Sequence, residues 1–228
     1  MTRRVLLIVL ISGAVPAECE AGFGSAAIKE VAEELMILIG RKAGTEAVEL
    51  IVVRVTRVSA KYGEKEVLLA LKKAGSLGLE AIERAVGKDA PNVVKILSRH
   101  GSEGLVVVER ESAMRLIAKY GDEAGGVIVR HGELAEKMIA AHGSDAIAAA
   151  STLTKRRDIL RLAMLADNEA IQATNGFPQL LKIIAKHGQR GLTFIWTHRR
   201  DLEDAVFLAL FIRYCDDYIE GKRHFHGK

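Results

Sequence analysis

Glycine recurs in this chain at intervals that leave room for little except short helices. Gly63, Gly75, Gly87, Gly101, Gly121, Gly132, Gly143 and Gly188 are separated by 12, 12, 14, 20, 11, 11 and 45 residues. The clearest copy runs from Lys119 to Gly143, KYGDEAGGVIVRHGELAEKMIAAHG, where the three glycines follow Tyr120, His131 and His142. The unit reads as a basic residue, then Tyr, His or Ala, then Gly, then a polar or acidic pair, then apolar residues at helical spacing. Each part has a physical reason. Glycine takes the left-handed conformation that closes a helix at little steric cost. A Lys, Arg or His in the last turn complements the negative end of the helix dipole. Thr45, Ser102, Asp122 and Ser144 directly follow a glycine, where a side-chain oxygen can cap the next helix. Glu46, Glu103, Glu123 and Asp145 then add negative charge to its first turn.

The remaining segments fit the same scheme. Ala26 to Ile39 places Ile28, Val31, Ala32, Leu35 and Ile39 on one helical face. Leu50, Ile51, Val55 and Val58 recur at three and four residues, so this stretch reads as helix despite its β-branched content, ending at Lys61-Tyr62-Gly63. The interval from Gly101 to Gly121 predicts two short helices broken near Glu111-Ser112, and the last interval holds a longer segment, Ile147 to Ala173, with Gly176 and Pro178 marking a turn before Leu180. Three prolines and 5% aromatic residues agree with a helix-rich chain. Helices this short are unstable alone, because nucleation costs more than two turns return. The predicted fold is therefore all-α, a short-module helical repeat resembling a solenoid, with a compact irregular helical domain as the alternative.

The N-terminus has a separate character. Arg3 and Arg4 precede the apolar run Val5 to Ile11, followed by Val15-Pro16-Ala17. This order describes a cleavable secretory signal over residues 1–17, with a second cut available after Ala21. The predicted mature chain is one helical-repeat domain over 18–220 and a flexible charged tail over 221–228. Removing Arg3 and Arg4 lowers the formal charge from +4 to +2, too little and too dispersed for a nucleic-acid binder. No mature segment is long and apolar enough to span a bilayer. Gly22 to Ala27 matches a dinucleotide-binding fingerprint in letters only, since no strand leads directly into it. Cys19 and Cys215 are able to pair in an oxidising compartment.

KYGDEAGGVIVRHGELAEKMIAAHG, together with RHGSEGLVVVERESAMRLIA, RLAMLADNE at 161–169 and KHGQRGLTFIWTHRRDL at 186–202, resembles an uncharacterised family of secreted bacterial proteins. Members carry the same succession of modules and a Phe-Ile-Trp segment near the end; the likeness covers about residues 60–212. It implies a helical fold and export, and no activity or site residues.

Candidate chemistry is sparse. His100, His131, His142 and His187 each precede a module glycine and form a potential metal or haem ladder. Tyr62, Tyr120 and Ala74 occupy the same position, which favours packing at helix ends over ligation. His224 and His226 form a His-x-His pair in the tail, near Asp216 and Asp217. Leu202 to Ile219 reads as a buried closing helix, or else a hydrophobic edge for a partner, with Trp196 packed beneath it. There is no C-x-x-C-H, H-E-x-x-H, G-x-S-x-G or Walker sequence. No catalytic residue, metal ligand or cofactor is assigned. The sequence leans towards an exported, non-catalytic interaction or scaffold protein with a protein partner in the cell envelope. The alternative is a metal- or cofactor-binding envelope protein that uses the helix-end histidines.

Overall fold

The computed structural model describes residues 26–38, 45–85 and 89–224. The proposed signal, Cys19, the stretch before Ser25, Gly87 and His226 all lie outside these residues. Every regular element described is helical: α1 (Ala26–Leu38), α2 (Thr45–Tyr62), α3 (Glu64–Arg84), α4 (Asp89–His100), α5 (Leu105–Val108), α6 (Glu111–Tyr120), α7 (Asp122–His131), α8 (Glu133–Ser151), α9 (Arg156–Ala166), α10 (Glu169–Ala173), α11 (Phe177–Thr197) and α12 (Ala205–Ile219). Single 3-10 turns cover Gly101–Gly104 and Asp201–Glu203.

The module glycines are one-residue joints. Gly132 donates its N–H to the Ile128 carbonyl at 2.8 Å and accepts the Glu136 N–H at 3.2 Å. It thus completes the ladder of α7 and starts that of α8, and only its own dihedrals turn the chain. Those are φ 70° and ψ −149°, a region that essentially only glycine enters. Gly63, Gly75, Gly101, Gly121, Gly143 and Gly188 also have positive φ. At Gly75, Gly143 and Gly188 the joint falls within α3, α8 and α11, each of which is a bent pair of short helices.

The expectation is refined at two points. At Gly75, Gly121, Gly132, Gly143 and Gly188 the backbone is extended in the mirror-image sense rather than left-handed helical, whereas Gly63, at φ 95° and ψ 126°, is neither. Gly121 and Gly132 themselves also hold the N-cap positions, so Asp122 is the first residue of α7 and acts through charge on the dipole. Side-chain caps occur elsewhere, at Asn168 and Asp204, which accept from the Ile171 and Val206 N–H groups.

Burial follows the joints. Ala113, Ala124, Ala135 and Ala146 are fully buried at intervals of eleven residues, as are Ile117, Ile128 and Ile139 at most 1% exposed. Eight and four residues before Gly188 stand Leu180 and Ile184, and before Gly75 stand Val67 and Leu71, all fully buried. An i,i+4 pair lies on one helical face, so these modules present two apolar side chains to their neighbours, alanine and isoleucine in those that end at Gly121, Gly132 and Gly143. These residues belong to one apolar cluster reaching from Ile28 to Phe211. Helices pack chiefly on those near them in sequence: α1 to α4 together, α4 on α6 and α7, α6 to α8 together, α8 on α9 and α11, and α11 on α12.

Ile147 to Ala173 is not one helix. The chain leaves α8 at Thr152 and α9 at Asp167. The first break is held from a distance, by Arg130 Nη1 on the Ser151 carbonyl at 3.3 Å and the His131 ring on that of Leu153 at 3.0 Å. α12 departs from the buried closing helix: Leu208 and Phe211 are buried, but Val206 is 67% and Leu210 42% exposed. α11 and the Asp201–Glu203 turn do not together cover a helix that is apolar all round. Phe194 stacks on Phe211 with ring centroids 5.3 Å apart, so it is the aromatic beneath α12. Trp196, two residues on and about 200° round the helix, lies instead between the guanidinium groups of Arg161 and Arg199 at 5.5 and 4.6 Å.

Candidate functional site

The helix ends are where the polar side chains of this fold converge. Two residues before Gly75, Gly101 and Gly132, a basic side chain reaches a helix end further along the chain. Lys73 Nζ donates to the Ser98 carbonyl at 2.7 Å, at the C-terminus of α4, and Arg130 reaches Ser151 at the end of α8. Arg99 pairs with Asp122 at 3.2 Å, in the first turn of α7. Cations on carbonyls at a C-terminus, and acids in a first turn, both complement the dipole. Tyr120, just before Gly121, also reaches across. The Tyr120 hydroxyl stands 3.0 Å from where a Cβ on Gly143 would sit.

The four histidines perform the same task separately. His142 packs its ring on Phe177 with centroids 4.8 Å apart, and His100 lies over Gly126 in α7. His131 is 5% exposed with Nε2 facing the Leu153 carbonyl, so Nε2 carries the hydrogen. His187 Nε2 meets Asp216 Oδ1 at 2.7 Å. Burial holds His100, His131 and His142 below the ordinary imidazole range; for His131 the Leu153 carbonyl and nearby Asp158 partly oppose it. Four imidazoles with four different partners do not constitute a ladder of ligands.

One cluster was not legible in the sequence. His187, Cys215 and Asp216 bring a nitrogen, a sulfur and an oxygen within 4.8 Å of one another, and they are the one such trio among the described residues. Lys186 Nζ lies 2.6 Å from the second Asp216 oxygen. The ammonium, and then the imidazole, hold the Asp216 carboxyl down at about 2. Burial, then the Asp216 charge, pushes the Cys215 thiol up. Only Asp216 had been set beside histidines, those of the tail. Along the tail Arg223 instead pairs with Asp217 at 3.1 Å and stacks over Tyr214 at 4.1 Å.

Two further features stand apart from the helix-end contacts. A groove of about 570 Å³ lies between the end of α3, the start of α4 and the α5–α6 junction. Its charged residues are Arg84, Asp89, Glu109 and Glu111, with Val93 and Met114 among the apolar ones. Asp158, in the first turn of α9, is fully buried, and neither carboxylate oxygen receives a hydrogen bond. The Arg161 guanidinium stands 3.7 Å from it.

No family model matches this chain, and neither a curated protein nor a solved structure is similar to it. Among the described residues, no helix is long and apolar enough to cross a membrane.

Proposed function

We propose that this chain is an exported, non-catalytic interaction protein whose stacked short helices form a solenoid. The groove between helix ends is the observation that carries the reading. It lies between four helix termini, as binding surfaces of stacked repeats commonly do. Three carboxylates and one guanidinium line it around an apolar floor. That chemistry suits a basic segment of an envelope protein with an apolar anchor. Packing between near neighbours in the chain supports a stack over a closed globule, and the Arg3-Arg4 and Val5 to Ile11 pattern supports export.

The test pairs location with contact. Fractionated cells should hold the protein outside the cytoplasm, beginning at Glu18 or Gly22. A photo-crosslinking residue at Glu111 should yield one discrete protein adduct, lost on Glu109→Lys, while the same probe at Lys182 yields none. An intact N-terminus on cytoplasmic protein, or adducts indifferent to probe position, contradicts the proposal.

A further inference from the structure

The seam between α11 and α12 holds metal-binding chemistry that the scaffold reading does not use. His187 stands one residue before the Gly188 joint, which fixes the direction of its ring. Cys215 and Asp216 follow the bend of α12 at Tyr214, where φ is −121° and ψ 23°. The seam is half closed: the side chains of His187 and Asp216 are 13% and 49% exposed. Cys215 is a free thiol of intermediate exposure.

Two of the three distances lie near those between ligands of a small ion, and the whole trio falls within 4.8 Å. Zinc binds thiolate at about 2.3 Å and nitrogen or oxygen at about 2.0–2.2 Å, which puts tetrahedral ligand atoms roughly 3.3–3.6 Å apart. Cys215 Sγ is 3.7 Å from Asp216 Oδ1. His187 Nε2 is 2.7 Å from that same oxygen, a spacing set by the proton between them. An ion replacing that proton needs the pair to open by only about half an ångström on the same geometry. Lys186 binds the other carboxylate oxygen, leaving Oδ1 to the metal. Outer partners of this kind orient a ligating carboxylate. Thiolate, imidazole and a single carboxylate oxygen form a mixed S, N, O set, which favours zinc-like ions over calcium or magnesium.

We propose that His187, Cys215 and Asp216 are a three-ligand site for a zinc-class divalent ion, completed by water, that clips α12 to α11. Binding releases the Cys215 thiol proton to solvent and moves the hydrogen of the neutral His187 imidazole from Nε2 to Nδ1, and thiolate and carboxylate together neutralise the ion. The site fastens a helix that leaves Val206 and Leu210 exposed on its outer face. It is independent of the helix-end groove and of any partner there.

Titration of the purified full chain with cobalt(II), in a non-thiol reductant, tests the site. The expected result is one ion per chain with a thiolate-to-cobalt charge-transfer absorption that zinc displaces. Cys215→Ser abolishes that absorption, and His187→Ala weakens binding at least tenfold. The His224→Ala/His226→Ala double variant leaves both unchanged. Zinc also slows hydrogen exchange in 205–219 of the parent chain and not of Cys215→Ser, whose unaltered helical circular dichroism reports on its folding. No charge-transfer absorption in the parent chain, binding that survives Cys215→Ser, or binding lost with the tail histidines overturns the proposal.

Discussion

Gly126 and Gly132 lie six residues apart in one module and should respond oppositely to the same added methyl group. Gly126 sits within α7 at ordinary helical dihedrals, and a Cβ there meets only the His100 ring at 3.7 Å, an ordinary contact. Gly126→Ala should stabilise the protein by about 0.5–1 kcal/mol, because alanine loses less backbone freedom in a helix. At Gly132 a Cβ meets nothing within 4 Å, so its cost is purely one of backbone conformation. Gly132→Ala should destabilise by about 1–3 kcal/mol. Urea denaturation of the two variants checks this, and equal shifts in the midpoint contradict the assignment of Gly132 as a joint. At this scale the sequence was informative, since glycine after Tyr, His or Ala marked the described joints. The buried pair eight and four residues earlier was equally readable, as the eleven-residue recurrence of Ala113, Ala124 and Ala135 shows. The mirror-image ψ was not, because a glycine at positive φ is compatible with more than one turn.

His131 shows how elements are fastened. Its Nε2–H holds the Leu153 carbonyl, tying the end of α7 to the turn between α8 and α9. Burial lowers the imidazole pKa in the folded chain, whereas the unfolded chain titrates at about 6.5. The unfolded state therefore binds more protons as the pH falls below that value. His100 and His142, lowered by the same cause, add to the effect. Their contribution to stability is complete above about pH 6.5 and is lost as the pH falls towards the lowered folded values. The melting temperature should fall between pH 7.5 and 5.5, and less steeply in His131→Gln, which keeps a donor and removes the titration. Parallel slopes would show that His131 does not carry this dependence. Element boundaries were less legible than the joints. The Asp167-Asn168-Glu169 break carries a readable cap, since Asn168 accepts the Ile171 N–H. The break at Thr152 is set by Arg130 and His131, more than twenty residues upstream. No local pattern announces a turn whose carbonyls are satisfied from so far away.

Over the whole molecule, all-helical character was legible because helix periodicity and glycine joints agree. The candidate sites were not. The trio of His187, Cys215 and Asp216 depends on how α11 meets α12, and the groove depends on four helix ends meeting. Such approaches follow from packing angles that a one-dimensional pattern does not encode. α12 was misread for a related reason: its sequence is apolar all round, and only the packing reveals one face left open. The central claim is that single glycines join short helices into a stack of near neighbours. Small-angle X-ray scattering of the monomer measures this most directly. A compact chain of 228 residues has a radius of gyration of about 17 Å. A stack predicts a value well above that and a pair-distance distribution skewed to long distances. A symmetric distribution with a radius near 17 Å would contradict it.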